Sequence, residues 1–534
     1  MQGASEWFLS AEERGPRAGA LAERERQGLP WTVGNHVEPL IDGATYFARL
    51  VARSSALAAG DQVLFTDWRG DADERLGPNG PALGELLSQL AGRGVDVRGL
   101  LWRSHPKVFG FNEEEASELA RVVNEAGGTI LLDARVRRGG SHHQKLVLLL
   151  HPDSPPEDLA FVGGIDLCRG RRDDERHEGD PQNETLDPAF GPRPPWHDIQ
   201  AEVHGPAVAE LFETFRERWN DPTPLDHLGS RFGPVSIRDA LAQEHPEPIP
   251  PSQGSPPPVG THAVQVLRTY PAKRHPYPFA RRGERTIARM YTKAFARARS
   301  SIYVEDQYFW SGEIAARYEA ALRREPELRL IVVVPRHPDR NGMISGPPLR
   351  LGQQAMIERL SEAGGDRFAI YDLENERGAA IYVHAKVVVI DDVLVMMGSD
   401  NMNRRSWTHD SELSMAVLDE TRDEREPRDP TGRGDEARRF ARDLRLRLWR
   451  EHLGLDSDDG LVDPHEGFER WRRAADALDA WYDGGKHGPR PVGRVRTHRP
   501  RPVPAWQRTW AWPLYRTIVD PDGRPRGLRR SHRF

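Results

Sequence analysis

Apolar and polar positions follow two periods along this chain, and the same succession of periods occurs twice. The segment "YFARLVARSSALAAGDQVLFTDW" places its apolar residues at helical spacing, breaks at a turn, and ends in a short apolar strand closed by Asp67 and Trp68. "IARMYTKAFARARSSIYVEDQYF" runs the same way through Asp306. A second helix and strand follow each of them ("VDVRGLLW" and "ELRLIVVVP"). Then, 76 positions after Asp67 and 78 after Asp306, a histidine heads another apolar run. This self-similarity predicts an internal duplication. Strands alternating with helices in both copies predict an α/β fold built as two similar α/β/α sandwich halves.

Breaks in the pattern divide the chain. The proline-dense "HPEPIPPSQGSPPPVGTH" has no apolar period and reads as a linker. The expected organisation is an N-terminal extension over 1–40, a first half over 41–225, a linker over 226–262, a second half over 263–455 and a C-terminal extension over 456–534. The second half closes on the strongly helical "EARRFARDLRLRLWREHLG".

Composition narrows the function classes. The 534 residues hold one cysteine, Cys168, so no internal disulfide and no four-cysteine zinc site is available. The first residues lack a basic stretch followed by an apolar one, so no export signal is read. The longest apolar runs fall well short of the ~20 residues that cross a bilayer as a helix. The expectation is a cytoplasmic protein that meets lipid only peripherally. A net charge of -6 argues against a general nucleic-acid binder. The stretch 486–534 is the exception: rich in arginine and proline, it carries only Asp520 and Asp522 as acids and interleaves Trp506, Trp510, Trp512 and Tyr515. It reads either as a poorly ordered tail or as an anchor to an anionic membrane surface.

Only six of the 75 basic residues are lysines, yet two of them repeat one arrangement, "SHHQKLVLLL" and "YVHAKVVVIDD". Residues two apart on a strand share a face, so His384 and Lys386 point together, as do His143 and Lys145, while His142 points the other way. Glycine-bearing turns follow both strands, Gly163 and Gly164 in "FVGGIDLC" and Gly398 and Ser399 in "VMMGSDNMNRRS". Such small residues would let backbone N–H groups approach an anion. Asn401 adds a neutral donor, with Asp166 at the equivalent place. Asp198 in "PWHDI" and Glu412 in "HDSEL" match as acids followed by an apolar residue, each expected to orient the histidine of its own half. A zinc site built on His142 and His143 is not expected, because adjacent strand residues diverge and no third ligand at suitable spacing is visible.

These residues carry a resemblance to the phospholipase D superfamily, whose signature is a duplicated H-x-K-x4-D followed by a Gly-Ser or Gly-Gly turn. The second copy fits in full with His384, Lys386, Asp391, Gly398, Ser399 and Asn401; the first has Leu150 where the aspartate belongs. By parity the motif aspartate faces away from the histidine and lysine, where it would support rather than react. The strings "AFVGGIDLCRGRRD", "PWHDI", "FRERWN" and "SSIYVEDQYF" resemble the phosphatidylcholine-cleaving branch, and the family's calcium- and phosphoinositide-binding modules find no room before Ile41.

The resemblance implies a site at the interface of two halves related by a pseudo-twofold axis. His143 would form a phosphohistidine, His384 would protonate the departing alcohol, and Lys145, Lys386 and Asn401 would hold the nonbridging oxygens. The residues themselves leave the two histidine roles interchangeable. No metal, cofactor or obligate protein partner is implied. The function expected is hydrolysis of a glycerophospholipid at its distal phosphodiester. Its rivals are head-group exchange of the cardiolipin-synthase kind, cleavage of nucleic acid, which the arginine- and tryptophan-rich tail motivates, and an inactive lipid-binding scaffold, which draws on Leu150.

Overall fold

The computed structural model describes residues 2–534 except 16–17, 20, 22, 25–27, 29, 105–112, 184–185, 226–245, 253, 340–345 and 532. The first half holds strands β1 (Thr32–Ile41), β2 (Gln62–Asp67), β3 (Asp96–Trp102), β4 (Thr129–Asp133), β5 (Leu146–Leu150), β6 (Leu159–Gly163), β7 (Trp196–His197) and β8 (Ile199–His204). The second holds β9 (His262–Tyr270), β10 (Glu284–Arg285), β11 (Ser301–Asp306), β12 (Arg329–Val333), β13 (Phe368–Leu373), β14 (Tyr382–Val383), β15 (Lys386–Ile390), β16 (Leu394–Gly398) and β17 (Glu412–Asp419), and β18 (Val495–Thr497) lies beyond it.

The duplication is visible as strand order. From its centre outward the first half runs β1-β8-β6-β5-β2-β3-β4, and the second runs β9-β17-β16-β15-β11-β12-β13. In each, a parallel trio meets an antiparallel group at the strand that follows the His-x-Lys pair. The halves are not two separate sheets, however. β1 pairs antiparallel with β9, Thr32 against Val264 and Asn35 against His262, which joins everything into one continuous sheet. Residues 32–40, assigned from sequence to an N-terminal extension, thus form the seam of the molecule. The break at Gly34 and Pro39 in "TVGNHVEPLI" hid the strand's alternation.

Helices cover both faces, so β5 is apolar at every position and β15 at every position after Lys386. On β15, Val387 and Val389 enter a core shared by both halves, while Val388 and Ile390 enter a core that the second half forms with Ala4–Leu9 and Phe534. On β5, Leu146, Leu148 and Leu150 take the shared core, and Val147 and Leu149 that of the first half. Parity therefore sends Lys145 and Lys386 to the faces opposite the shared core.

The C-terminal stretch is folded onto the second half. β18 pairs with β13, Tyr371 against Thr497. The helix Ala505–Leu514 lies on the helix Gly346–Gly364, with Tyr515 against Gly352. Phe534 stacks edge-on against Trp407 at 5.5 Å. Its two acids are both engaged: Asp520 accepts the Arg404 N–H at 2.7 Å, and Asp522 pairs with Arg524, which also reaches Glu313. A tail so tethered is not the poorly ordered segment its composition suggested. Of the linker expected over 226–262, residues 226–245 and 253 lie outside the described residues.

Candidate active site

Each His-x-Lys pair sits where its strand enters the sheet. Lys386 lies opposite Asp306 in the β11–β15 register, and Lys145 sits one residue before Leu146, which faces Thr66. The histidines precede the strands and are held by the opposite half. β7 and β14 pair in parallel across the interface, and the His384 N–H donates to the His197 carbonyl at 2.7 Å. In the same way the His143 N–H donates to the Ser411 carbonyl at 2.9 Å. His142 turns away to Thr66 Oγ1 at 2.6 Å.

This pairing crosses the carboxylates. His384 Nδ1 lies 2.6 Å from Asp198 Oδ2, and His143 Nδ1 lies 2.9 Å from Glu412 Oε2. The sequence expectation had each acid serving the histidine of its own half. The correction follows from two pairings across the interface: β7 against β14 brings Asp198 beside His384, and a bridge between His142 and Ser411 brings Glu412 beside His143. Asp198 Oδ1 accepts the Ile199 N–H at 2.8 Å, and Glu412 Oε2 accepts the Ser399 hydroxyl at 2.6 Å. With a carboxylate on Nδ1, each imidazole is oriented to keep its proton there and to present Nε2 as a free lone pair.

Burial, then the nearby lysines, hold both imidazoles well below their usual range. Lys386 acts on His143 across the interface and Lys145 acts on His384, so the two pairs share one electrostatic site. His143 is the more open, with 15% of its side chain exposed against 6% for His384. Burial raises Asp198 and pushes Glu412 up to about 7.

The lysines are not equivalent. Lys145 Nζ lies 2.9 Å from Asp166 Oδ1; burial alone would lower its pKa, but Asp166 and Asp67 outweigh that and raise it. Lys386 donates to the His384 carbonyl and to Gln307 at 3.4 Å, and burial pushes it down to about 8. Its neighbour Asp306 is itself pushed up to about 8 by burial and so offers little counter-charge near neutrality. Where the first half has Asp166, the second has Asn401, whose Oδ1 is buried with no hydrogen-bond partner among the described residues.

Several residues assigned from sequence serve the site otherwise than expected. Asp391 lies at the far end of β15, roughly 17 Å along the strand from Lys386. Its carboxylate accepts the N–H groups of Arg299, Ser300 and Ser301 at 2.8 Å each, pinning the turn into β11. It is a fold residue, and Leu150 replaces it in the first half by packing into the shared core. Gly164 and Ser399 spend their N–H groups on the Ile199 and Leu413 carbonyls at 2.9 Å, so neither of these two serves an anion. The glycines are needed for close approach instead. A Cβ on Gly164 would stand 2.2 Å from Asp198 Oδ1, one on Gly163 2.4 Å from Gln200 Oε1, and one on Gly398 2.2 Å from Ser414 Oγ. Asp166 neutralises Lys145 rather than offering a donor.

Sequence reasoning did not single out the aromatic wall. The Trp196 ring lies 5.0 Å from His384 and 4.8 Å from Tyr382, with the Arg171 guanidinium 3.9 Å above it. Trp68 stands edge-on to His143 at 6.4 Å. Trp68 and Trp196 both fell inside quoted motifs, but their equivalents in the second half are Gln307 and Asp410, so repetition could not mark them.

Two family profiles match the chain: "Phospholipase D" over residues 70–320 and "Cardiolipin synthase, PLD-like domain" over 291–425. Phospholipase D alpha 2 of Oryza sativa subsp. japonica is 26% identical, over 76% of this chain and 62% of its own length. Phospholipase D A of Dictyostelium discoideum is 28% identical, over 70% of this chain and 32% of its own. The chain therefore spans about three fifths of the plant relative. A solved phosphatidylserine synthase from Haemophilus influenzae Rd KW20 superposes with a TM-score of 0.48 at 14% identity, over 77% of this chain and 86% of that one. The two profiles together span residues 70–425, the stretch that holds both His-x-Lys pairs, and it is to phospholipase D superfamily domains that this stretch is similar.

Proposed function

We propose that the chain is a phosphodiesterase that hydrolyses the distal phosphodiester of a glycerophospholipid, giving phosphatidic acid and a free head-group alcohol. The observation that carries this reading is the crossed pair of carboxylate-held histidines, each with a lysine beside it, at the junction of the two halves. His143, more open and neutral, supplies Nε2 as nucleophile: an N–P bond forms as the P–O bond to the head group breaks. Lys386, Lys145 and Asn401 stabilise the nonbridging oxygens. Burial and then the lysines hold His384 neutral; a bound phosphodiester anion opposes both, so His384 takes up a proton and delivers it to the leaving alkoxide. It then removes a proton from water, whose oxygen attacks phosphorus as the N–P bond breaks and His143 is restored.

Release of choline and phosphatidic acid from mixed micelles by the purified chain, abolished in His143→Ala, tests the reading. Absence of turnover on any phospholipid, with DNA cleaved instead, would replace it. Head-group exchange is the second reading, favoured by the cardiolipin-synthase-like profile over 291–425. Added glycerol that diverts product from phosphatidic acid to a phosphatidyl alcohol would establish it.

Contact with the bilayer is assigned to the C-terminal stretch, where Trp506, Trp512 and Ile518 are 66%, 43% and 58% exposed among arginines. Among the described residues no helix is long and apolar enough to cross a membrane.

A further inference from the structure

Beneath the site lies a cluster that the chemistry above does not use: buried Asp42, His177 and His197 with partly buried Glu451, each offering a ligand atom within 4.8 Å of the others. We propose that these four residues form a site for one first-row divalent cation, zinc foremost, that fastens the two halves together below His384.

The hydrogen-bond inventory carries the argument. His177 Nδ1 lies 3.0 Å from the Trp196 carbonyl oxygen, an acceptor only, so Nδ1 must bear the proton. In the neutral imidazole Nε2 is then a lone pair, and it points at Glu451 Oε1 from 3.0 Å. His197 is caught between two carboxylates, Asp42 at 3.1 Å from Nδ1 and Glu305 at 2.9 Å from Nε2, with Glu451 Oε1 also 3.4 Å from Nδ1. A neutral ring can donate to only one of them. Acceptor facing acceptor in a buried site demands a positive species between them, and a cation among the four atoms satisfies both histidines at once.

The spacing and surroundings fit a tetrahedral site. Metal–ligand bonds of about 2.0–2.2 Å place tetrahedral ligands roughly 3.3 Å apart. The contacts around Glu451 Oε1 and His197 Nδ1 are 3.0, 3.1 and 3.4 Å. Two histidines and two carboxylates suit zinc in donor type and bring the local charge to zero. Each ring is already oriented through its other nitrogen, His197 by Glu305 and His177 by the Trp196 carbonyl, as ligating histidines are. Glu305 is fixed in turn by Tyr303 and by His452 Nε2 at 2.8 Å, and Arg494 approaches Glu451 at 3.8 Å. The backbone also accepts strain to hold two of the ligands: Asp42 has φ 65 and His177 φ 51, both in the left-handed region.

The placement gives the cation a task. Asp42 and the two histidines belong to the first half, Glu451 to the second. The His197 carbonyl anchors the His384 N–H, and the next residue, Asp198, orients the His384 ring. The cation would lock the strand edge that positions His384 without touching substrate. It revises the sequence expectation of no metal, for architecture and not for the reaction.

The experiment reads metal rather than turnover. Full chain is incubated with zinc, desalted against a weak chelator and assayed by mass spectrometry for metal; about one zinc per chain is expected, together with a rise in unfolding temperature over chelator-stripped protein. Glu451→Gln and His177→Ala should each weaken zinc retention at least about tenfold. In cobalt-loaded protein, visible absorption of tetrahedral strength is expected from the wild type. A wild-type chain that retains no zinc and whose unfolding temperature ignores it overturns the proposal and leaves the cluster filled by protons. Equal zinc retention in both variants, or cobalt absorption of octahedral weakness, overturns it as well.

Discussion

Asp198→Asn is the most discriminating perturbation, because the crossing of carboxylates makes a first-half residue govern a second-half histidine. Asp198 accepts from His384 Nδ1 at 2.6 Å with both groups buried. A hydrogen bond to a charged group of this kind contributes about 1.5–3 kcal/mol. As His384 must become an imidazolium to protonate the leaving group, that contribution enters the transition state for alkoxide departure. The expected loss is about 10- to 150-fold in kcat/KM on a choline ester. The amide can also turn its NH2 towards Nδ1, favouring the wrong tautomer, which deepens the loss. A substrate with an aryloxide leaving group needs little protonation, so its rate of His143 phosphorylation, read as the burst in single-turnover mixing, should stay within a few-fold of wild type. Glu412→Gln should behave oppositely, slowing the burst on both substrates because Glu412 serves the nucleophile. If Asp198→Asn slowed the aryl burst as much as choline release while Glu412→Gln spared it, the roles drawn for the two histidines would be reversed.

Four further outcomes follow from the same geometry. With Lys386 pushed down to about 8 by burial, kcat/KM should fall as pH rises through that value and the cation is lost, whereas Lys386→Arg should abolish this alkaline limb; a limb unchanged in the arginine variant refutes the assignment. Gly164→Ala, whose Cβ would stand 2.2 Å from Asp198 Oδ1, should reproduce the leaving-group dependence of Asp198→Asn, and full activity on the choline ester would show that the carboxylate can yield. Asp391→Asn should cost about 1–3 kcal/mol of stability in denaturant titration while leaving turnover per folded molecule little changed, since three backbone donors and no substrate meet this carboxylate. Trp506→Ala with Trp512→Ala should weaken sedimentation with anionic vesicles, more so at high salt where the remaining arginines are screened, without lowering the unfolding temperature; unchanged binding refutes the anchor.

The parts of this site that the sequence discloses are those written locally and twice. His143, Lys145, His384 and Lys386 emerge because a scarce residue recurs at equivalent points, and strand parity separates His143 from His142 with no further information. Parity also set Asp391 apart from the chemistry, as a residue that supports rather than reacts. What the sequence hides is pairing between halves. β7 and β14 are two residues each, too short to carry a period, yet they decide which carboxylate meets which histidine. The cluster of Asp42, His177, His197 and Glu451 draws on positions hundreds of residues apart, with no spacing that a motif could record.

That hidden pairing bears on why the chain is a fused duplication. A half folded alone would carry a nucleophile or an acid, but its imidazole would lack both the carboxylate on Nδ1 and the carbonyl that holds its backbone, each of which comes from the opposite half. The β1–β9 seam fixes the two halves of the sheet in register, and Arg218 of the first half reaches the Ser411 hydroxyl of the second at 3.0 Å, beside the same interface. Small shifts there move both carboxylates at once, so site geometry depends on the seam as much as on the residues that react. The asymmetry of the two lysines then has room to arise: one half can bind its lysine to Asp166 while the other offers Asn401 and a cation near its titration point, because neither copy has to work without the other.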